Sequence, residues 1–270
     1  MKEFYEREIR DRLDRDSEYR EFLFPRCYLF TDKEITDLDS YPFYGNWNKQ
    51  IVGAYKLYTQ NKAHSFVVTH GELAAALVGH AFDPFTDTYS EEEILSDCIQ
   101  AFRQSRGAFF EIVDRITGVF VILLTWEKNV IAVQDCAAMQ MLYYGQTDGN
   151  VWMSSSAQLI GDICALKRTP YEQKLMNSKG YYRGSRYLPG NLSPYAELTR
   201  LGANLYVEYN GEFRQIRFFP VKERRQLTED EKPEALEKIY ALFRKNIEMI
   251  LKKWILLRCL FRAEWTAKPL

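Results

Sequence analysis

Five cysteines, three histidines and one acidic run are the side chains in this sequence that could carry chemistry. The cysteines are Cys27, Cys98, Cys136, Cys164 and Cys259. No two form a C-x-x-C pair and their number is odd. That fits free thiols in a reducing cytoplasm better than a disulfide framework or a zinc site. Cys27 stands before a strand and reads as a buried structural thiol. His64, His70 and His80 lie in or near strand-like segments, with no acidic or cysteine residue at metal-ligand spacing, so no metal site is expected. The acidic run is Ser90-Glu91-Glu92-Glu93. Ser90 with Glu93 three residues on is a capping box, which accounts for these carboxylates as the start of a helix.

Charge and length narrow the partners. The 270 residues carry 36 Lys and Arg against 37 Asp and Glu, a formal net charge of −1. Nothing in that balance draws the chain to nucleic acid or to an anionic membrane. Small basic clusters at Lys222, Arg224 and Arg225 and at Lys252 and Lys253 read as a linker and a solvated helix face. The first twenty residues are charged almost throughout, so no signal peptide is expected. No apolar run approaches the roughly 20 residues of a membrane-spanning helix. No internal repeat and no low-complexity tract is present.

The elements that must position these groups are legible in order. Residues 3–23 read as a charged peripheral helix or arm. Residues 26–30, 51–58, 65–69 and 75–80 read as strands, with an aromatic loop at Tyr41-Pro42-Phe43-Tyr44-Gly45-Asn46-Trp47. After Ser90, the apolar Ile94, Leu95, Cys98, Ile99 and Phe102 keep helical spacing, and a second short helical run covers 109–113. Two β-branched runs, 116–125 and 130–135, flank the polar Trp126-Glu127-Lys128-Asn129 and predict a buried hairpin ending in Asp135. Leu142-Tyr143-Tyr144, a turn at Asp148-Gly149-Asn150, a strand at 151–153 and a Ser154-Ser155-Ser156 helix start follow. Asn210-Gly211 joins strands 205–209 and 212–218 as a hairpin. Thr228-Glu229-Asp230-Glu231 caps a last helix with Leu236, Ile239, Phe243, Ile247, Ile250 and Leu251 on one apolar face.

Residues 116–160 resemble the glutaminase-type domain of asparagine synthetases, a class II glutamine amidotransferase domain. The pattern there is roughly L-x-G-x-F-A-F, a turn, R-D-x-x-G-x-x-P-L-Y-Y, a turn, and A-S-E-x-K-x-L. This sequence keeps Gly118, Phe120, Asp135, Leu142, Tyr143, Tyr144, Ser154 or Ser155, and Leu159. It departs at Gln134 for Arg, Ala138 for Gly, Met141 for Pro and Ser156 for Glu. Over about residues 65–254 the resemblance implies an α+β fold, a four-layer αββα sandwich of the N-terminal-nucleophile type. It places a domain at 1–222 and, from 223 to 270, the first helix of an ATP-using synthetase domain.

The resemblance also says what is missing. The family hydrolyses glutamine with a cysteine that becomes residue one, whose free α-amine serves as base. Here residue two is Lys2, and a helical segment precedes the first strand. The family's N-G-E pocket motif aligns with Val78-Gly79-His80, which leaves Gly79 and His80 as remnants. A rival alignment is His70-Gly71-Glu72. The family's S-D-x-E, whose Asp holds the substrate ammonium, aligns with Ser90-Glu91-Glu92-Glu93 and points to Glu91. The chain is therefore expected to lack catalytic residues, metal and cofactor of its own. The full-length family enzyme would use ATP and Mg2+ to activate a carboxylate and pass it to an amine. A separate synthetase domain or a peptide is the expected partner. A non-catalytic peptide- or protein-binding module on the same fold is the alternative.

The family's phosphate-binding loop, S-G-G-x-D-S, should follow the last helix. It is not in frame. Reading the third base of each codon with the first two of the next, from Phe261 to Lys268, permits Ser-Gly-Gly-(Met/Val)-Asp-Ser-Lys. Trp265 has a single codon, so the aspartate is forced. A frameshift is therefore expected, with residues after about 253 non-native, poorly ordered and prone to aggregation.

Overall fold

Strand alternation and turn chemistry build this chain from its hairpins outward. The computed structural model describes residues 2–184, 188–222 and 225–253. Helix α1 (Lys2–Arg15) and a 3-10 turn at Ser17–Phe22 form the expected charged lead-in. Strands β1 (Tyr28–Thr31), β2 (Trp47–Val52), β3 (Tyr55–Gln60), β4 (Ser65–His70) and β5 (Leu73–Phe82) follow. Next come α2 (Glu91–Gln104), α3 (Arg106–Arg115), β6 (Thr117–Trp126), β7 (Asn129–Gln134), β8 (Tyr143–Thr147) and β9 (Asn150–Ser154). The chain continues through α4 (Ala157–Ile163), α5 (Pro170–Met176), α6 (Lys179–Arg183), β10 (Leu198–Arg200), β11 (Leu205–Tyr209), β12 (Phe213–Arg217) and α7 (Lys232–Lys253).

The strands form two six-stranded sheets, β10-β8-β9-β1-β3-β2 and β12-β11-β7-β6-β5-β4. Every pairing whose register is resolved is antiparallel. This is the α+β, double-sheet arrangement with a C-terminal helix that the sequence led us to expect. By compactness the chain divides into Met1–His80 with Gly118–Phe219, and Ala81–Thr117 with Pro220–Leu270.

In the first unit the two sheets bury their facing sides against each other. Tyr28, Phe30, Tyr55 and Leu57 of one sheet join Ala76, Val121, Leu123 and Ala132 of the other in one core. Phe30 and Tyr55 stack with ring centroids 4.7 Å apart. Because side chains alternate along a strand, Leu29 points the opposite way. It joins Tyr58 and Trp152 beneath Leu159 and Ile160 of α4. β1 is thus buried on both faces, and each large apolar side chain so covered contributes about 1.5–3 kcal/mol.

One expected strand is two. Residues 51–58 form the end of β2, a turn at Gly53-Ala54 and the start of β3. Gly53 has φ +59, and a Cβ there would meet Thr125 Oγ1 at 2.6 Å. The turn is hidden in sequence because Ile51, Val52 and Tyr55 around it are all apolar.

In the second unit, Ser90 caps α2 by accepting the Glu93 N–H at 3.3 Å, and Ser105 caps α3 through Ala108 N–H at 3.0 Å. Thr228 and Glu231 form the capping box ahead of α7. The non-native tail expected after about 253 falls on residues 254–270, outside the described residues. No helix among the described residues is long and apolar enough to cross a membrane.

Candidate functional site

The serine cluster at the end of β9 organises the start of β1. Ser154 Oγ donates to Tyr28 O at 2.6 Å, and Ser155 Oγ accepts the Tyr28 N–H at 3.2 Å. Ser156 Oγ caps α4 through the Leu159 N–H at 3.3 Å. Cys27 sits directly before β1 at this point. Its backbone N–H donates to Phe24 O at 3.1 Å, and its carbonyl accepts from Gln60 N at 3.0 Å. The nitrogen is a peptide amide, whose lone pair is delocalised into the carbonyl and does not serve as a base. Burial pushes the Cys27 thiol above its usual range, against the opposing pull of the Ser155 hydrogen bond. A thiol so placed is protonated at neutral pH and is a poor nucleophile.

Asp135 closes β7. Its N–H donates to Phe120 O at 2.9 Å. Its carboxylate accepts the N–H groups of Ala137 at 3.1 Å, Met139 at 3.0 Å and Gln140 at 2.8 Å. The side chain is 2% exposed, so it acts as the buried anchor of the 136–140 loop. Gln134, where the resembled motif has Arg, donates through Nε2 to Leu201 O and Gly202 O, both at 3.1 Å. The loop, held this way, leaves a cleft of about 350 Å3. Gln134, Ala138 and Met141, three of the four departures from the motif, all line it, together with Arg200 and Ala203. Tyr28 Oη donates to Met141 O at 3.1 Å, which ties the 136–141 loop to β1. Tyr144 packs on Phe213 with centroids 4.8 Å apart, and Phe120 is 2% exposed. Gly118 stands near the start of β6 with φ +152, a value that residues bearing a side chain rarely adopt, and Tyr143 packs with the cluster under α4.

The residues expected as pocket remnants belong to different units. Gly79 and His80 lie on β5 in the first. Gly79 has φ +112, and a Cβ there would meet Val119 O at 2.1 Å. The His80 ring lies 4.3 Å from that of His64. The rival His70-Gly71-Glu72 forms the β4–β5 turn, with Gly71 at φ +61 and Glu72 exposed. Glu91 lies in the second unit and is 4% exposed. Its carboxylate accepts the Ala81 N–H at 3.3 Å and pairs with Lys253 Nζ at 2.6 Å. Lys253 also donates to Ala81 O at 2.6 Å and Tyr89 O at 2.7 Å. Lys253, expected on a solvated face, is thus a largely covered clasp, because three acceptors on 81–91 replace most of its hydration. Sequence reasoning missed this pair, which no local spacing signals.

Among the described residues no group of three or more His, Cys, Asp or Glu could hold a metal ion. Residues 254–270 contain no glycine, so in frame they offer no phosphate cradle of the resembled type.

No family model matches the chain, and no curated protein matches it. Solved structures do. The chain is similar to glutamine phosphoribosylpyrophosphate (PRPP) amidotransferase from B. subtilis complexed with ADP and GMP, at 10% identity and a TM-score of 0.41. That match covers 76% of this chain and 46% of the other. It is also similar to a structure described as the allosteric regulatory enzyme of purine biosynthesis, at 7% identity and a TM-score of 0.42. That match covers 72% of this chain and 43% of the other. The matched region spans less than half the length of either protein.

Proposed function

We propose that this chain is a glutaminase-fold domain of an asparagine-synthetase-like amide ligase, one that does not itself hydrolyse glutamine. Residues 1–222 form that domain, and the helix from Thr228 begins the synthetase part. The carrying observation is at Cys27. Its nitrogen is a hydrogen-bonded amide and its thiol is raised by burial, which supports the reading that Cys27 supplies neither the base nor the nucleophile of the family's chemistry. The hairpin, the Asp135-anchored loop, the Tyr143-Tyr144 strand and the Ser156-capped helix support the family reading by their order. Adenylation of a carboxylate with ATP and Mg2+ belongs to the synthetase part. The finer reading includes the shifted frame at 261–268, and sequencing the gene across codons 250–270 tests it. A stop in that frame within a few codons, or the loss of the glycine pair, removes it. The thiol pattern supports a cytoplasmic setting.

A second reading has its own observation. Gln134, Ala138 and Met141 line one cleft, so the departures from the motif are gathered where a peptide or small partner could bind.

Ammonia release from glutamine tests the first reading. The purified chain is expected to release none above the buffer rate. Release that disappears in Cys27→Ala would overturn it.

A further inference from the structure

One end of the double sheet in the first unit carries a second cleft, of about 580 Å3. Four hairpin turns meet there: β2–β3 at Ala54, β6–β7 at Lys128, β8–β9 at Gly149 and β11–β12 at Asn210. Asp32, just past the end of β1, joins them. About 16 Å of extended chain separates Asp32 from Cys27 at the other end of β1, so this cleft is not the one built around that thiol. Its floor and wall are fixed. Tyr55 is 1% exposed, and its Oη donates to Lys128 O at 2.5 Å, which pins the β6–β7 turn. The Tyr209 ring packs on Phe213 with centroids 4.9 Å apart, and its Oη accepts from Gln146 Nε2 at 3.3 Å. Gly149 and Gly211 leave the mouth open, since a Cβ on either would meet nothing within 4 Å.

Two opposite charges line this cleft without pairing. Asp32 Oδ1 accepts the Val151 N–H at 2.9 Å, which orients the carboxylate and leaves Oδ2 without a partner among the described residues. Lys56 Nζ donates to the Asp32 carbonyl at 2.8 Å and makes no ion pair with its carboxylate. Lys128 likewise has no ion-pair partner among the described residues. Burial first, and then the Asp32 charge, raises the Tyr55 hydroxyl above its usual range, which sets the carboxylate beside the cleft floor. A bare cation here would meet Lys128, and a phosphate would meet Asp32. An occupant that satisfies both carries both charges, set further apart than the about 4 Å reach of an ion pair. An extended dipeptide spans about 7 Å between its termini, whereas a single α-amino acid holds both charges on one carbon. We propose that this cleft binds a dipeptide-sized zwitterion, with its ammonium on Asp32 and its carboxylate on Lys128. The Asn129 side-chain amide, which also lines the cleft, supplies a donor and an acceptor for the peptide group. The volume is that of a small-ligand site with a few convergent polar groups.

The inference does not depend on the ligase reading, since ammonia release and dipeptide binding are independent measurements. The test is a titration of the full chain with alanylalanine, read by amide NMR shifts. The Asn129, Gly149 and Gly211 amides are expected to shift saturably. N-acetyl-alanylalanine and alanylalanine amide each lack one charge, and alanine lacks the span. Each is expected to bind about tenfold more weakly. Asp32→Asn keeps the acceptor for Val151 N–H and removes the charge. It is expected to erase the preference for free over N-acetylated dipeptide. Lys128→Met, on an exposed turn, is expected to erase the preference for the free carboxylate over the amide. Three results would overturn the proposal: no saturable shift at these amides, capped dipeptides or alanine bound as tightly as alanylalanine, or variants that keep both preferences.

Discussion

The Lys253 ammonium lies 2.6 Å from the Glu91 carboxylate, with the two side chains 15% and 6% exposed. The Glu91 carboxylate thus holds an ammonium from its own chain. Removing the lysine leaves a buried charge unpaired. Lys253→Met is expected to cost about 3 kcal/mol in urea unfolding. Glu91→Gln with Lys253→Met should recover most of it, because no lone charge then remains. A Lys253→Met variant as stable as the native chain would show that the pair contributes nothing.

Asp135 offers a second stability measurement. Its carboxylate accepts three loop N–H groups. Asp135→Ala leaves those donors without their acceptor and is expected to cost about 1–3 kcal/mol, with Asp135→Asn less damaging. An unchanged melting temperature for Asp135→Ala would remove the anchoring role.

What the sequence revealed follows the range of the forces involved. Local signals were readable: the β6–β7 hairpin from its two apolar runs, the β11–β12 hairpin from Asn210-Gly211, and the helix starts from Ser90, Ser156 and Thr228. The hidden turn at Gly53-Ala54 carried no polar punctuation, so it merged into one strand. Short helices α5 and α6 were not among the elements read from the sequence. At the site, Asp135 was readable because it ends a buried strand before a tight connection. The Glu91–Lys253 pair was not, because a salt bridge between distant segments leaves no periodicity. The gathering of Gln134, Ala138 and Met141 in one cleft likewise depends on how their loop folds back onto the segment after β10.

Thiol reactivity should divide by burial. Burial raises the Cys27 and Cys98 thiols above the ordinary range, while Cys136 is exposed. A raised thiol pKa lowers the thiolate fraction at any pH below it, and only the thiolate alkylates. At pH 8, iodoacetamide should therefore label Cys136 well before Cys27 and Cys98. Raising the pH should speed all labelling without inverting that order. Peptide mass spectrometry reads this directly, and Cys27 labelled as fast as Cys136 in the folded chain would contradict the burial argument.

Gly79 separates a structural from a vestigial explanation of the pocket motif. One alignment of the sequence with the N-G-E motif would keep it, which invites a functional reading. Its backbone N–H donates to His64 O at 2.9 Å, and its φ of +112 is one that side-chain-bearing residues rarely adopt. A Cβ would meet Val119 O at 2.1 Å and Phe120 Cα at 3.1 Å, which are backbone atoms of β6 and cannot rotate away. Strain and clash then add, and Gly79→Ala is expected to cost more than about 3 kcal/mol. Gly149 is the control. It has φ +76 with nothing within 4 Å of a built Cβ, so it bears the conformational cost alone. Gly149→Ala is therefore expected to cost about 1–2 kcal/mol. Thermal unfolding of the two variants decides the matter. A Gly79→Ala protein no less stable than Gly149→Ala would mean that β5 and β6 tolerate the side chain, and that the glycine needs another reason to be there.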